Sequence, residues 1–522
     1  MSSAIRLTKI VATLGPASNS PEKIRELIQA GVDIFRLNFS HATSMERLAE
    51  IVADIRAASE AMHKPVAILG DLQGPKFRVG ALLNDEPVML PTDAHVQLSA
   101  LNQPGTASHI TTPNTELIAV LDVGHRLLLD DGNLAMDVVN VEQTPQGKIL
   151  TCQVLRGGLL KAKKGINVPN LGGGIDALTE RDKAYALFAL AEQLDFIALS
   201  FVQSAEDILA LRQFLQENAH AQNGKKDPQK LPLIIAKIER PKAIDAIDDI
   251  LAQTDGLMVA RGDLGVELAQ ERVPMIQKRL IEKANALQKP VITATQMLES
   301  MIHSPIPTRA EVSDVANAVI DGSDAVMLSA ESAVGDYPVD AVATMARILK
   351  ACEEELPNWP THEDRRLHLS KDVPLDVTLR ETIAFGAALS SRRIHATAIV
   401  VFSYSGRMAR RVSKHKPKLP IFAFTNSIAV ARRMMILSGV VPILLPASAH
   451  TDDALHHAEL ALKTLDYVEI GQTVVYVAGQ TPFAGMTNAI LLRAFGESLT
   501  PQDLTLIEQQ ACPIFFPLPA LV

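Results

Sequence analysis

The sequence is 522 residues long, with 47% hydrophobic residues, 21% charged residues and a formal net charge of −9, which predicts two to four domains and argues against a general nucleic-acid-binding protein. Its three cysteines, Cys152, Cys352 and Cys512, are far apart and lack CxxC or CxxH spacing, so we expect no disulfide framework, no zinc site and a reducing, cytoplasmic compartment. The first residues lack the apolar core of a signal peptide, and no run of about 18 apolar residues could span a membrane.

The chain opens with an alternation of strand and helix patterns. Residues 5–16 predict a strand that stops at a Gly-Pro pair. Residues 21–30 predict a helix, which Asn19 or Ser20 would cap and Gly31 would end.

The second predicted strand, DIFRLNFSH, places three polar residues on one face. Arg36, Asn38 and Ser40 occur at every second position, and side chains alternate along a strand. Polar groups on an apolar strand are costly unless they have partners or a function. We therefore expect either a functional site or a satisfied polar network at the rim of a barrel.

A third strand, PVAILGDLQGP, ends near Asp71 and is followed by a change of pattern. Over residues 76–169 short alternating runs are separated by Gly, Pro, Asn and Asp, and helical periodicity is nearly absent. Gly74-Pro75 and the Gly172–Gly174 run are hinge-like boundaries. We expect residues 76–169 to form a small β domain, a lid inserted after the third strand.

The alternation of strands and helices returns after residue 170 and continues to about residue 355. Five further strands are predicted, DFIALSFV, PLIIAKIER, GLMVARGDLG, KPVITATQ and DAVMLSAES. Residues 1–75 and 170–355 together contain eight strands over about 260 residues, close to the roughly 250 typical of a (β/α)8 TIM barrel. An open doubly wound sheet is the alternative, but the count of eight favours closure.

Active sites of such barrels lie at the carboxyl ends of the strands. The polar candidates there are Arg36, Asn38, Ser40, Asp71, Lys237, Glu239, Asp263, Thr295, Ser329 and Glu331. Lys237 and Glu239 alternate along one strand, and Asp263 follows the next strand. Two carboxylates beside one ammonium predict a Mg²⁺ or Mn²⁺ site, because oxygen ligands suit these ions better than zinc. A buried ion pair that only neutralises itself is the alternative.

Residues 356–522 predict a third unit, an α/β layered domain. Its strands are HATAIVVFS, LPIFAFT, VVPILLP and TVVYVAG. Directly after the first of them, SYSGRMARR places hydroxyl groups, a glycine and an arginine at the start of a helix, a pattern that suits an anion. Ser403, Ser405, Gly406 and Arg407 are therefore a candidate effector site, with an ordinary turn before a solvated basic helix as the alternative.

Several motifs resemble those of the pyruvate kinase family. They are LIIAKIER, VARGDLGVE, ITATQMLESM, PTRAEVSDVANAVIDGSDAVMLSAES and FRLNFSH, and the resemblance runs from Arg6 to about Tyr337 and more loosely beyond. It implies a catalytic barrel, an inserted β lid, and a C-terminal regulatory and oligomerisation domain. It also implies phosphoryl transfer from phosphoenolpyruvate to ADP through a magnesium-stabilised enolate, giving pyruvate and ATP in the last step of glycolysis.

The resemblance further implies roles for individual residues. Glu239 and Asp263 would bind the divalent metal, and Lys237 would be the catalytic lysine that faces the transferring phosphoryl group. Substrate contacts would come from Arg36, Lys237, Gly262, Asp263, Thr295, Ser329 and Glu331, with Arg36 and Thr295 also catalytic. Nucleotide contacts would come from Asn38, His41, Arg78 and Lys164.

One departure from the family pattern concerns the monovalent cation. Many members hold K⁺ near the positions of Asn38, Ser40, Asp71 and Leu72, and carry Thr, Lys and Glu where this chain has Leu72, Gln73 and Lys76. This chain resembles the branch that works without K⁺. We expect the ammonium of Lys76 to do the cation's work; a surface lysine at a hinge is the alternative.

The resemblance also bears on regulation and assembly. Met408 stands where members regulated by sugar phosphates tend to have a hydroxyl residue, which weakens the case for fructose 1,6-bisphosphate. We expect a sugar monophosphate or AMP as effector and a homotetramer. The second wall of the effector pocket would come from Gly479, Thr481, Gly485 and Thr487.

Two other functions remain open from the sequence. A metal-dependent lyase or mutase acting on phosphoenolpyruvate or oxaloacetate would share the enolate chemistry, and ADP-dependent pyruvate formation would separate the two. A metabolite sensor without catalysis is the other alternative, and metal-dependent turnover would dismiss it.

Overall fold

Eight parallel strands close into a barrel in the computed structural model, which describes residues 5–169, 171, 176–223, 231–355, 375–446, 448, 450–479 and 487–508. Its first part contains β1 (Lys9–Leu14), α1 (Pro21–Ala30), β2 (Ile34–Asn38), α2 (Met45–Ala61) and β3 (Ala67–Asp71). The Ser20 side chain caps α1 and Gly31 ends it, as predicted. Pro21, which follows the cap, suits the first helical position.

The lid, residues 76–169, is built from short strands around its own apolar core. It contains β4 (Phe77–Arg78), β5 (Val88–Leu90), β6 (His95–Ser99), β7 (His109–Thr111), α3 (Thr115–Val120), β8 (Arg126–Leu129), β9 (Leu134–Thr144), β10 (Gly147–Arg156), β11 (Gly158–Leu160) and β12 (Gly165–Asn167). One sheet has the order β4-β12-β8-β9-β10-β6-β7, and β11 pairs with β5. The helix α3 was not predicted, because six residues are too few to show a helical period.

The chain then returns to the barrel. The second part contains α4 (Glu180–Ala191), β13 (Phe196–Leu199), α5 (Ala205–Asn223), β14 (Leu233–Ile238), α6 (Pro241–Asp245), α7 (Ile247–Gln253), β15 (Gly256–Ala260), α8 (Arg261–Glu267), α9 (Val273–Ala286), β16 (Val291–Ala294), α10 (Arg309–Ile320), β17 (Ala325–Leu328), α11 (Ala330–Ala333) and α12 (Pro338–Glu355). Parallel pairing runs β1-β2-β3-β13-β14-β15-β16-β17 and closes from β17 to β1. The predicted barrel is therefore confirmed, and the open sheet is not formed.

The C-terminal part packs on the amino-terminal end of the barrel. It contains α13 (Leu375–Arg393), β18 (Ala398–Phe402), α14 (Arg407–Lys414), β19 (Ile421–Thr425), α15 (Ile428–Met434), β20 (Val440–Leu444), α16 (Thr451–Thr464), β21 (Thr473–Gly479), β22 (Thr487–Ala494) and α17 (Pro501–Glu508). The sheet order is β20-β19-β18-β21-β22, in which β22 is antiparallel to β21. The Lys9 ammonium donates to the Val440 carbonyl at 2.7 Å, which joins this sheet to the barrel.

One predicted strand face is wrong. Strand β2 ends at Asn38, and Phe39–His41 forms a 3-10 turn, so Ser40 does not continue the face of Arg36 and Asn38. The side-chain oxygen of Asn38 accepts a hydrogen bond from the Ser40 N–H at 3.1 Å. Asn favours such caps over further extension of a strand, which explains the early end.

Within the described residues, no helix has the length and apolarity needed to cross a lipid bilayer.

Candidate active site

Lys237 lies at the centre of a buried charged cluster at the carboxyl ends of the strands. Its ammonium is 2.8 Å from Glu239 Oε1 and 3.3 Å from Asp71 Oδ1. Burial alone would lower the pKa of Lys237, but the charges of Asp71 and Glu239 outweigh it and raise the pKa above its ordinary value. The amine is therefore a fixed positive charge throughout the physiological range. The predicted meeting of β14 with the ends of other strands is observed.

Arg36 extends this cluster to the neighbouring strands. Its Nε donates to Asp71 Oδ2 at 2.6 Å, and Nη1 donates to Thr13 Oγ1 at 3.0 Å. Burial would raise the pKa of Asp71, but Lys237 and Arg36 lower it below its usual range. Asp71 is thus a carboxylate held between two cations, and it fixes both of them toward the same space.

Ser200 is a part of the site that sequence reasoning missed. Lys237 donates to Ser200 Oγ at 2.8 Å, and that hydroxyl donates to the Leu72 carbonyl at 2.6 Å. Ser200 directly follows β13, so its place at the end of the fourth predicted strand was the available signal. The side chain of Leu72 is buried and apolar, so only the carbonyl of Leu72 offers a ligand to a monovalent cation.

Glu239 and Asp263 form the acidic side of the cluster. Glu239 follows β14, where its Oε2 accepts the Phe201 N–H at 2.7 Å, and Asp263 lies in the first turn of α8. Burial and then the charge of Glu239 raise the pKa of Asp263 to about 6, although Lys237 and Lys76 oppose the shift. Two carboxylates that repel each other in a buried place can be neutralised by a shared cation.

This donor set fits a hard divalent cation. Mg²⁺ and Mn²⁺ accept oxygen ligands and often take only one or two carboxylates, with water and phosphate oxygens completing the shell. Across the described residues, no group of three or more His, Cys, Asp or Glu side chains is arranged to hold a metal ion. Glu239 and Asp263 therefore stay the predicted ligands of such an ion.

Thr295 lies beside α8 in a strained backbone conformation. Its φ is 67°, and that of Gln296 is 54°, a region that β-branched residues rarely adopt. Thr295 Oγ1 accepts the Gly262 N–H at 2.8 Å, so the two residues predicted to bind the same substrate carboxylate contact each other. Arg261 holds this loop by donating to the Thr295 carbonyl at 2.6 Å.

Glu331 supports the loop next to Thr295. It is fully buried, and it accepts the N–H of Leu298 at 3.1 Å and that of Ser329 at 2.7 Å. Because both oxygens are occupied by backbone groups, we assign Glu331 a positioning role. Ser329 Oγ is buried and has no hydrogen-bond partner among the described residues, so it stays a candidate for a substrate contact.

The residues predicted to contact nucleotide lie where the lid meets the barrel. Lys164 pairs with Asp130 at 2.6 Å, and Arg78 donates to the Lys163 carbonyl at 3.1 Å. Partial burial lowers the pKa of His41, and the charges of Lys76, Arg78 and Arg36 lower it further. Lys76, Arg78 and Arg36 are therefore close enough to His41 to act on its pKa.

The candidate effector loop lies far along the chain, between β18 and α14. Gly406 has a φ of 74° and precedes the helix, Ser403 is buried, and Ser405 and Arg407 are exposed. A Cβ at Gly406 would lie 3.1 Å from Met434 Cγ, so this turn requires glycine for both conformation and space. In the predicted second wall, Gly479 ends β21 and Thr487 begins β22, while Thr481 and Gly485 lie outside the described residues.

Comparisons with known proteins agree with this architecture. The family model for the pyruvate kinase barrel domain matches residues 5–342, and that for the pyruvate kinase alpha/beta domain matches residues 381–492. A pyruvate kinase from Geobacillus stearothermophilus is 41% identical over 95% of this chain and 81% of its own length. One from Methylorubrum extorquens is 40% identical over 93% of this chain and 96% of its own length.

A solved structure gives the same result. The crystal structure of a pyruvate kinase from Cryptosporidium parvum has a TM-score of 0.85 and 34% sequence identity, and the match covers 94% of this chain and 96% of that one. The barrel, the charged cluster at its carboxyl rim and these relatives together identify the chain as a phosphotransferase that belongs to the pyruvate kinase family.

Proposed function

We propose that the cluster around Lys237 binds phosphoenolpyruvate and transfers its phosphoryl group to ADP, giving pyruvate and ATP. The observation that carries this proposal is the Lys237 ammonium, held 2.8 Å from Glu239 and 3.3 Å from Asp71 and near the Arg36 guanidinium. Phosphoryl transfer requires positioning and charge neutralisation more than covalent help from the protein. The fixed charges of Lys237 and Arg36 would both position a phosphate and neutralise its negative charge.

Lys237 would serve two stages of the reaction. Its permanent charge would attract the phosphoryl oxygens during transfer and then the oxygen of the enolate that remains. Arg36 would hold the same phosphate. Its Nε donates to Asp71 and its Nη1 donates to Thr13, and these two bonds fix the orientation of the guanidinium. Asp71 would act by keeping both cations in place.

Glu239 and Asp263 would hold the divalent cation, Mg²⁺ or Mn²⁺. When bound, such a cation stabilises negative charge on phosphate and enolate oxygens. The fit rests on the oxygen donors of both residues; burial first, and then the charge of Glu239, raise the pKa of Asp263, and a bound cation would oppose both effects.

The remaining substrate contacts would come from the strained loop and from α8. The Gly262 and Asp263 N–H groups would bind the substrate carboxylate. To do so, the Gly262 N–H would exchange its present acceptor, Thr295 Oγ1, for the substrate. Thr295 would then be near the carbon that accepts a proton. Ser329, whose buried hydroxyl has no partner among the described residues, completes this side.

The nucleotide would bind between barrel and lid. Asn38 at the end of β2, His41 on the turn that follows, and Arg78 and Lys164 on the lid would contact its phosphates. Closure of the lid would exclude water, which otherwise competes with ADP for the phosphoryl group.

The monovalent-cation requirement is a separate proposal. Lys76 is exposed at the start of the lid, and its charge acts on both Asp263 and His41. We expect this ammonium to replace K⁺ near Asn38, Ser40, Asp71 and Leu72. Turnover should then persist in Tris or sodium buffer free of K⁺ and NH₄⁺, whereas a collapse of activity there would disprove the replacement. Lys76→Glu should introduce K⁺ dependence.

Regulation, assembly and location extend the same proposal. The loop of Ser403, Ser405, Gly406 and Arg407 would bind one phosphate of a sugar monophosphate or AMP, supported by Arg407 at the helix start. We also propose that the protein forms a homotetramer. We propose a cytoplasmic location as well, which the free thiols of Cys152 and Cys352 support. The proposed domains are residues 1–75 with 170–355, residues 76–169, and residues 356–522.

The activity is tested by a lactate-dehydrogenase-coupled assay of purified protein with phosphoenolpyruvate and ADP. We expect pyruvate and ATP in equal amounts only when Mg²⁺ or Mn²⁺ is present. Glucose 6-phosphate, ribose 5-phosphate and AMP are then added singly at low phosphoenolpyruvate. Protein that consumes phosphoenolpyruvate without ADP would be a lyase or phosphatase, which would overturn the proposal.

A further inference from the structure

We propose that Asp182 is a positioning residue that anchors the lid to the barrel and so fixes where the lid can turn. It is the third residue of α4, the helix with which the chain returns to the barrel, and its side chain is fully buried. Its effect on turnover rests on the proposed function, in which the lid brings Arg78 and Lys164 to the nucleotide.

The chain crosses between the barrel and the lid twice. The first connection runs from the end of β3 to β4, and the second runs from the end of β12 to α4. Of the second connection the structure describes residues 168–169, 171 and 176–179. Strands β4 and β12 are antiparallel neighbours, with Phe77 opposite Ile166. The two connections therefore leave the lid side by side, and the lid can turn only through them.

The first connection is short and ends in an apolar core on each side. Leu72 is buried in the core of the barrel, and Phe77 is buried in the core of the lid. The Leu72 N–H donates to the Ala198 carbonyl at 3.0 Å, which extends the pairing of β3 with β13 by one residue. Only residues 73–76 therefore lie between the fixed end of the barrel and the lid.

The carboxylate of Asp182 gives one oxygen to each connection. Its Oδ1 accepts the Gln73 N–H at 2.9 Å and the Gly74 N–H at 3.3 Å. Its Oδ2 accepts the Thr179 N–H at 3.1 Å and the Thr179 hydroxyl at 2.6 Å, which completes the capping box of α4. The cap requires only Oδ2. The bonds of Oδ1 are additional, and they tie the first connection to the start of the helix that follows the second.

Gly74 is held from a second side. Its φ is 67°, and a methyl group on it would lie 2.7 Å from Phe201 Cδ2, so only glycine fits beside that ring. The Phe201 N–H donates to Glu239 Oε2 at 2.7 Å, so Phe201 is itself fixed to a predicted ligand of the metal. With Gln73 and Gly74 held, turning of the first connection is confined to residues 75 and 76.

The place of this turning point matters for the nucleotide. Arg78 lies on β4, and the Val79 N–H donates to the Lys164 carbonyl at 2.8 Å, so both predicted nucleotide contacts lie at the base of the lid. Without the anchor, the lid would turn about a longer connection and bring these cations to ADP less accurately. An inaccurate closure also admits water to the phosphoryl group. Arg36 and Lys237 lie on barrel strands and would keep their places.

Four variants test the anchor. Asp182→Ala removes the bonds to both connections, and Asp182→Asn keeps one acceptor oxygen of the two. Thr179→Val removes the hydroxyl of the cap but leaves Oδ1 and its bonds to the first connection. Ser20→Ala is the matched control, because it removes the side-chain cap of α1, a helix that packs against α2 and α12.

The first readout is the coupled assay, with ATP measured separately through hexokinase and glucose-6-phosphate dehydrogenase. Asp182→Ala should raise the KM for ADP at least about fivefold and change the KM for phosphoenolpyruvate by less than about twofold. It should also form less than one ATP per pyruvate, because water then takes part of the phosphoryl groups and gives pyruvate and phosphate. Asp182→Asn should lie between Asp182→Ala and the wild type. Thr179→Val and Ser20→Ala should match the wild type, since a smaller folded fraction lowers the rate but neither the KM nor the yield.

The second readout requires no turnover. Hydrogen exchange of residues 72–76 in the ligand-free protein should be at least about tenfold faster in Asp182→Ala than in the wild type, since two amides lose their acceptor. Residues 67–71 of β3 are the internal reference and should not change. Thr179→Val and Ser20→Ala should exchange like the wild type in both segments.

Two results would overturn the anchor. One is wild-type exchange of residues 72–76 in Asp182→Ala, and the other is a wild-type KM for ADP together with one ATP per pyruvate in that variant. A wild-type protein that shows the expected difference in exchange but makes no ATP would instead refute the proposed function and leave the anchor in place.

Discussion

At the scale of single residues, Lys237 balances the charge of the site. It is the partner of two buried carboxylates, Asp71 and Glu239, and those charges keep it protonated. Lys237→Met should lower kcat at least about a hundredfold, since one preorganised charge is worth about 3–4 kcal/mol. Mn²⁺ binding should persist, because Glu239 and Asp263 remain.

The control for this substitution is Lys242→Met, an exposed lysine after the same strand. It should turn over like the wild type. Near-normal turnover by Lys237→Met in the coupled assay would remove Lys237 from the mechanism.

Glu267 predicts a dependence of stability on pH. Burial raises its pKa from 4.5 to about 7, with Arg240 and Asn167 opposing and Glu239 and Asp263 adding to the shift. The folded protein therefore binds more protons than the unfolded chain between those values, so this residue's stabilising contribution falls as pH rises from about 4.5 to about 7. The full effect is up to about 3.5 kcal/mol, since the shift is about 2.5 pKa units and each unit corresponds to about 1.4 kcal/mol.

Glu267→Gln removes this titration. The urea midpoint of the variant, relative to the wild type, should be higher at pH 8 than at pH 5. An equal difference at both pH values would show that Glu267 has an ordinary pKa in the folded protein.

The residues of the site differ in how well the sequence predicts them. Lys237, Glu239 and Asp263 follow from side-chain alternation and from the rule that barrel sites lie at strand ends. Ser200 also contacts Lys237, but a serine after a strand has no distinctive pattern. Its bond to Lys237 depends on which strands become neighbours. Pairing between strands distant in sequence is a property of the closed barrel, which no local pattern encodes.

At the scale of elements, the loop after β16 stores strain close to the substrate. Thr295 and Gln296 both have positive φ, which costs about 1–3 kcal/mol for each such residue. Arg261 holds the loop through the Thr295 carbonyl, and Asp314 on α10 holds Arg261 at 2.6 Å. The loop is thus fixed by a residue of α8, the same helix that carries Asp263.

Arg261→Lys tests this arrangement. A lysine keeps the charge but lacks the fork of donors that reaches both the loop and Asp314. We expect kcat to fall at least about tenfold through misplacement of Thr295, with little change in Mn²⁺ affinity. Lys278→Met, which removes an exposed lysine paired with Asp321, is the control. A fall in Mn²⁺ affinity equal to the fall in kcat would show that Arg261 acts on the metal site instead.

Sequence patterns predict regular elements better than their ends. The capping boxes of α4 and α10 and the cap of α1 locate those helices because each uses a local side-chain bond. The turn of Phe39–His41 was missed, because the residue pattern does not show whether the Asn38 side chain accepts the Ser40 N–H and ends the strand. The strand β22 was missed because the four predicted strands of this domain end with TVVYVAG, and β22 adds an antiparallel edge beyond them.

At the scale of the whole molecule, a buried cluster joins the barrel to the C-terminal sheet. Asp324, just before β17, accepts hydrogen bonds from Lys414 at the end of α14 and from Lys416 at 3.1 Å. Lys414 also donates to Asn285 at 3.0 Å. The helix that begins at the candidate effector loop therefore ends on the barrel strand whose other end carries Ser329.

Lys414→Met should destabilise the protein strongly. It leaves Asp324 fully buried with one cation fewer, and removing one partner of a buried pair typically costs about 3–5 kcal/mol. Lys416 pairs with the same carboxylate, but its side chain is 27% exposed. Lys416→Met should therefore lower the free energy of unfolding less than Lys414→Met. The urea midpoints of the two variants measure the difference. Equal midpoints would show that Lys414 is not the principal partner of Asp324.

The most direct test of the account is the binding of Mn²⁺, followed by electron paramagnetic resonance, together with ATP formation on the same samples of wild type, Glu239→Gln and Lys237→Met. If Glu239 and Asp263 hold the cation and Lys237 serves the transfer, Glu239→Gln should bind Mn²⁺ at least about tenfold more weakly and make little ATP. Lys237→Met should bind Mn²⁺ like the wild type and also make little ATP. Wild-type Mn²⁺ affinity and turnover in Glu239→Gln would contradict the assignment of the site.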